Sequence, residues 1–447
     1  MFTRKNLIKL LVPLIIEQLL AVTVGMADTI MIAKKGEEAV SGISAVDTIC
    51  VLLIGLFSAL ATGGAVVAAQ YIGQKDREKA RTAANQLVLS VAFLSVILMI
   101  ISLIGNEAIL HLIYGKLSPE TMQNAKIYFY IVAVSFPFIA IYNSGAALFR
   151  AMGNSKISMM TSFWMNIINI AGNAILIFVF DIGVAGAGIS TLLARMIAAI
   201  IVMLRLRNQE NAICIEYNFR LGYQPKMIRR ILNIGIPNGL ENSIFQFGKL
   251  LVGSLIARYG EVGMTANAIG NSVASFNCIP GSAIGLAMIT VVGQCVGAGK
   301  LDEAKKYTWK LLKYASISML ILNIIVLLSI NPIVNLFEAQ AETKALATKL
   351  LIYHCICCII IWPSAFTLPN ALRAANDVKY TMFTSIASMW IFRVGLSFIL
   401  AQSAGLGVFG VWVAMTIDWV FRAILFISRM VSGGWKKHAR MESAVSK

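Results

Sequence analysis

The sequence predicts an all-α integral membrane protein of twelve transmembrane helices, arranged as two pseudo-symmetric lobes of six. Three observations predict it. Of 447 residues, 58% are hydrophobic and only 13% charged, against roughly 25% charged in soluble domains. Twelve apolar runs each reach the roughly 20 residues that a hydrocarbon layer of about 30 Å demands of a helix. The first half of the chain also recurs in the second at an ungapped offset of 224. Pro13 falls on Pro237, Glu17 on Glu241, Gly36 on Gly260, Gln70 on Gln294, Gly73 on Gly297 and Ala80 on Ala304.

Taken in order, the runs lie near 7–33, 40–73, 82–105, 124–149, 157–180 and 184–205, then near 230–257, 264–297, 308–330, 346–372, 380–401 and 405–430. They are continuous rather than alternating, which excludes the strands of a β-barrel. The first run begins after a basic start but continues through Glu17 and Asp28 with no small-residue cleavage site, so it reads as a spanning helix and not as a cleaved signal. The second and eighth are long and rich in Gly and Ala, and are expected to bend or to extend past the bilayer. The fifth carries Asn166, Asn169 and Asn173, the last two at i and i+4 on one face. The tenth contains His354 and Cys355, Cys357 and Cys358. It reads as a membrane helix using Cys as a small apolar residue rather than as a metal site. Pro13 and Pro237 sit inside helices, where each removes one backbone bond and permits a hinge. Residues 1–205 form the first lobe, 206–229 a polar linker, 230–430 the second lobe and 431–447 a basic tail.

Lys and Arg give the net charge of +17, and their placement argues against nucleic acid. With the N-terminus inside, 27 fall in inward loops and tails, seven in outward loops and four at membrane depth. Both termini are therefore expected on the cytoplasmic face of the plasma membrane. Six spans per lobe return the chain to its starting side, so the repeat is parallel, with its axis along the membrane normal.

An ionisable residue at membrane depth costs at least about 2.5–3.5 kcal/mol on insertion scales, so each one needs a reason. Glu17 and Asp28 are separated by three helical turns plus about 20°, which puts them on one stripe about 16 Å apart. They read as a coupling-ion or proton site and a second cavity carboxylate, or as carboxylates bonded to neighbouring helices. In the second lobe Glu241, Lys249, Arg393, Asp418 and Arg422 lie at or near membrane depth. Asp418 and Arg422, at i and i+4, can neutralise each other, while Arg393 needs an anion that Glu241 or Asp418 could supply. Arg195 has no evident partner. Trp390, Phe392, Trp412 and Trp419 read as packing or cavity aromatics. No phosphate-binding GxxxxGK[ST] loop occurs, so transport would draw on an ion gradient rather than on ATP.

These features resemble the multidrug and toxic compound extrusion (MATE) transporters. The resemblance covers about 5–430 and rests on PLIIEQLLAVTVGMADTIMIA, GGAVVAAQYIGQKDREKA, ALFRAMGNSK, NIINIAGNAILIF and GVAGAGIST, with ALRAAND and GLGVFGVWVAM as second-half counterparts. It implies two six-helix lobes around a central cavity and export of organic, often cationic, compounds against Na⁺ or H⁺. It also implies that Asp28, Asn169 and Thr191 occupy the family's first-lobe cation site, with Asn173 where one branch has Asp. Pro13 matches the proline about which the first helix bends. The second-lobe acid pair of another branch has no counterpart here.

The expected protein is thus a monomeric antiporter and not an enzyme, with a small-molecule substrate, a lipid bilayer around it and no nucleic-acid partner. It has no cofactor. H⁺ or Na⁺ couples at Asp28, Asn169, Asn173 and Thr191. The expected substrate cavity and charge network is Glu17, Glu241, Arg393 and Asp418, and the hinges are Pro13 and Pro237. A flippase of lipid-linked oligosaccharides from the same wider superfamily is the alternative, although its members carry more spans and a strongly cationic cavity.

Overall fold

The computed structural model describes residues 2–34, 36–115, 117–215, 222–337 and 339–439. Residues 216–221 of the expected linker and 440–447 of the expected tail lie outside the described residues. The chain divides into two compact units: Arg4–Gly239, and Leu240–Lys447 together with Met1–Thr3.

The first unit contains α1 (Arg4–Ala33), α2 (Glu37–Gly73), α3 (Arg77–Ile104), α4 (Asn106–Tyr114), α5 (Pro119–Val134), α6 (Phe136–Ala151), α7 (Ser155–Asn173) and α8 (Val184–Leu206). It ends part-way along α9 (Pro225–Ala257). The second unit takes the rest of α9 and then α10 (Gly260–Asn277), α11 (Ile279–Gly297), α12 (Leu301–Leu328), α13 (Ile330–Asn335), α14 (Ala341–Trp362), α15 (Pro369–Ala374), α16 (Val378–Ser388) and α17 (Gly407–Ser432). Wider π-helical turns follow α7 (Ala174–Val179), α14 (Pro363–Thr367) and α16 (Met389–Leu396 and Ile399–Ser403).

Every expected span lies in helix, but two of them are not single segments. The run at 124–149 is α5 and α6, bent by 48°, and the run at 264–297 is α10 and α11. Both breaks precede a proline at the second residue of the next helix, Pro137 and Pro280, where the missing N–H is one the helix leaves unpaired anyway. Among the described residues ten helices are long and apolar enough to cross a bilayer, or eleven with the bent pair taken as one. The 33-residue α9 has the length but carries Arg229, Arg230, Glu241 and Lys249, so apolarity alone does not mark it as a span.

The repeat is written into the backbone. Positive φ angles occur at Gly36 and Gly260, Lys75 and Gly299, Asp181 and Gly405, and Gly183 and Gly407, each pair offset by 224. Gly153 and Asn376 form a fifth pair, offset by 223. These are turn residues held in a conformation that side chains disfavour by roughly 1–2 kcal/mol, so a matched set means matched turns. The short helices α4 and α13, which the sequence reading did not anticipate, start at Asn106 and Ile330 and repeat the same offset.

Local chemistry explains the long elements. Asp76 caps α3 by accepting from the Lys79 backbone N–H at 3.0 Å, and Ser118 caps α5 ahead of Pro119. The α1 helix runs unbroken through Pro13, which cannot bond the Lys9 carbonyl one turn earlier. The Ser155 hydroxyl fills part of that gap, donating to Leu10 O at 2.7 Å and to Lys9 O at 3.4 Å. In the first unit α2 meets the start of α9 backbone to backbone. A Cβ at Gly63 would lie 2.7 Å from Ile231 O and 2.8 Å from Gly235 N. Arg230 secures the contact, donating to Tyr71 Oη at 2.7 Å and to Gln70 Oε1 at 2.9 Å.

Candidate functional site

In the first unit α1, α2, α5, α7 and α8 enclose a cavity of about 90 Å³ whose wall includes Asp28, Ser44, Asp47, Tyr128, Asn173 and Thr191. Liquid water occupies about 30 Å³ per molecule, so this space fits an ion with a little water and not a drug-sized compound, for which roughly 300 Å³ or more is usual.

Asp28 lines this cavity. Asn173 Nδ2 donates to Asp28 Oδ1 at 2.7 Å. The Asn169 amide is oriented by its neighbours: its nitrogen donates to Asp28 Oδ1 at 2.8 Å while its oxygen accepts from the Thr191 hydroxyl at 3.3 Å. Close packing of α7 on α8 allows this reach, because a Cβ at Gly172 would meet Ser190 Oγ at 2.6 Å. Ser190 in turn donates to the Asn169 backbone carbonyl at 2.6 Å. The structure thus gathers Asp28, Asn169, Asn173 and Thr191 into one cluster.

Sequence reasoning missed Asp47. It stands exposed at the rim and accepts from Tyr128 Oη at 3.3 Å. Its signal was available: Asp47 is an acid on a long apolar helix, in AVDTICVLLIG, and so needs the same justification as Asp28. Arg195 acts electrostatically on both aspartates and donates to Ser135 Oγ at the α5–α6 bend, at 2.8 Å. The buried Asn173 Oδ1 has no hydrogen-bond partner among the described residues. Carboxylate, amide and hydroxyl oxygens form the polar part of this wall, beside Ile32, Val40, Ile43 and Ala187, and such a hard donor set suits Na⁺ or a proton.

The other expected charges do not form one network. Glu17 is buried and paired with Arg150, Nη1 to Oε1 at 2.9 Å, and it accepts from Ser158 Oγ at 2.7 Å. Glu241 is paired with Arg373 at 2.7 Å rather than with Arg393. The sequence reading assigned Arg150 and Arg373 to loops, yet both are drawn inward, and the repeated ALFRAMGN and ALRAAND segments carried that signal. Asp418 is fully buried. It accepts from Arg422 Nε at 2.8 Å and from Ser388 Oγ, with Arg393 Nη1 at 3.8 Å. Phe245 lies under both guanidinium groups, 5.1 Å from Arg393 and 5.4 Å from Arg422. Trp419 packs edge-on against His354, and Phe392 packs on Phe421. Pro237 lies inside α9.

A second cavity, of about 60 Å³, lies within the second unit and is lined by Lys249, Asn267, Asn271, Arg393 and Trp412 among others. Elsewhere in the second unit Cys278, His354 and Cys358 converge, their donor atoms within 4.8 Å of one another, and Trp412 and Trp419 pack edge-on against the His354 ring.

Comparison with known proteins gives a consistent result. The family model described as MatE matches twice, at residues 13–175 and 237–399, reproducing the offset of 224. "Uncharacterized transporter YisQ" of Bacillus subtilis is 26% identical, over 96% of this chain and 94% of its own. "Probable multidrug resistance protein NorM" of Thermotoga maritima is also 26% identical, over 98% of this chain and 94% of its own. A solved structure of a multidrug resistance MATE family transporter in an outward-facing conformation superposes with a TM-score of 0.91 at 19% identity, covering 97% of this chain and 96% of that one.

Proposed function

Because the chain belongs to the MatE family of transporters, we propose that it is a secondary antiporter of the plasma membrane, with both termini cytoplasmic, exporting organic cationic compounds in exchange for H⁺ or Na⁺. The observation that carries this reading is the small cavity lined by Asp28, with oxygen donors in its wall and sized for an ion.

Asp28 and Asp47 supply negative charge, and Asn173 and Thr191 supply neutral oxygens. Asn169 holds Asp28 in place. A bound proton or Na⁺ would neutralise charge in this wall, and its absence would leave two carboxylates facing each other across the cavity. That difference is the free energy by which an ion gradient biases one conformation over another. The hinge is α1 at Pro13, because the proline gives no N–H to the Lys9 carbonyl and the Ser155 hydroxyl reaches it only at 3.4 Å. Asp28 and that hinge lie on one helix, so the ion site and the bend are mechanically continuous.

The test is efflux of a cationic dye from proteoliposomes under an imposed Na⁺ gradient and, separately, an imposed pH gradient. One of the two should drive export. Failure of both, with the protein folded and inserted, would overturn the antiport reading.

A further inference from the structure

The two cavities occupy the same place in the repeat, with their charge reversed. The offset of 224 carries Gly25 to Lys249, Asp28 to Val252 and Asp47 to Asn271, and carries Ala187 to Val411 and Thr191 to Met415. Each of these ten residues lines the cavity of its own unit. Asn169, whose amide holds Asp28, is carried to Arg393, which lines the second cavity. One wall has two carboxylates and no cation. The other has an ammonium, a guanidinium and two amides, and no acid.

Charges around the second cavity do not balance. Asp418, which stands behind the wall and does not line the cavity, is held by Arg422 at 2.8 Å and lies 3.8 Å from Arg393, which does. One anion therefore serves two guanidinium groups. Lys249 has no ion pair and no hydrogen bond among the described residues and is exposed at the rim beside Asn271. Trp412 Nε1 donates to Asn267 Oδ1 at 3.0 Å, which leaves the Asn267 NH₂ group as a donor. Donors outnumber acceptors, and positive charge exceeds negative.

We propose that the Lys249–Arg393 cavity binds a carboxylate group. A guanidinium presents a planar fork that matches a carboxylate, and an ammonium adds a point charge beside it. The volume of about 60 Å³ is roughly that of two waters, the scale of a carboxylate. The protein would thereby accept compounds that carry an acidic group, not only cations. As a statement about what is exported, this rests on the transport reading above; as a binding site, it does not.

The experiment titrates the full-length protein in detergent with sodium benzoate and follows thermal unfolding. A ligand of the native state should raise the midpoint saturably. Lys249→Gln, whose side chain has no partner to lose, should raise the half-saturating benzoate concentration at least tenfold. An equal benzoate effect in the parent protein and Lys249→Gln would overturn the proposal. So would chloride or phenyl phosphate matching benzoate, since either would make the site a general anion site or a phosphate site. If neither gradient drives dye efflux but benzoate behaves as stated, the antiport reading fails alone.

Discussion

Arg150, near the end of α6, reaches across to α1 and holds Glu17 at 2.9 Å, with both side chains largely shielded from solvent. Breaking one partner of such a buried pair costs about 3–5 kcal/mol, because the remaining charge is stranded, whereas removing both costs less. Glu17→Gln should therefore lower the unfolding midpoint in detergent markedly. The double variant Glu17→Gln with Arg150→Gln should recover part of the loss. Simple addition of the two single effects would show that the pair is not coupled.

Asp28→Asn keeps the shape of the ion cavity but removes the charge of Asp28. Gradient-driven dye efflux should fall at least a hundredfold, while membrane insertion and the unfolding midpoint stay close to the parent. Asp47→Asn should reduce efflux less, by about tenfold, since Asp47 stands at the rim. Unimpaired efflux in both variants would place coupling elsewhere.

Asp76 offers a pH-dependent test outside the membrane. Its carboxyl is held below the usual carboxylate range mainly by the backbone N–H of Lys79. The capping contribution is thus complete above about pH 4 and lost as pH falls through the folded-state value. Asp76→Ala should cost about 0.5–2 kcal/mol at neutral pH. Asp76→Asn should retain most of the cap and lose its pH dependence, read from midpoints between pH 3 and pH 7.

Gly63→Ala should destabilise the first unit by about 1–3 kcal/mol or more. The atoms that a new methyl group would strike are backbone atoms of Ile231 and Gly235, which cannot rotate away. Thermal unfolding compared with Gly55→Ala, where nothing lies within 4 Å, isolates the effect.

Lys75 has φ of 63° where its repeat counterpart is Gly299. Replacing it with glycine removes a strain of about 1 kcal/mol, so Lys75→Gly should be neutral or stabilising. Gly299→Lys should lose a similar amount, measured by the same unfolding assay.

Much of this arrangement was legible in the sequence, because membrane burial writes itself as apolar length and because the repeat could be read without gaps. The cluster of Asp28, Asn169, Asn173 and Thr191 came from resemblance rather than from spacing, since helix-to-helix distances leave no period in a single chain. Asp47 and Arg150 were harder for a physical reason. Asp47 meets Asp28 across a cavity, and Arg150 reaches Glu17 from a different helix. A hydropathy reading places Arg150 at a helix end among cytoplasmic charges, although its long side chain points back inward. The bend after Val134 was hidden because a proline near a helix start does not interrupt an apolar run, whereas the break after Asn277 falls in the Gly- and Ala-rich eighth run, where a bend or an extension past the bilayer was expected.

The matched left-handed turns have a consequence for how such a molecule diversifies. A turn at positive φ tolerates few residue types, so after a duplication both copies keep their corners. A cavity wall tolerates any side chain of suitable size. Gly25 against Lys249, and Asp47 against Asn271, are single-residue exchanges between corners that did not move. Each half can therefore acquire its own taste in ligand by isolated substitutions, with the frame inherited intact.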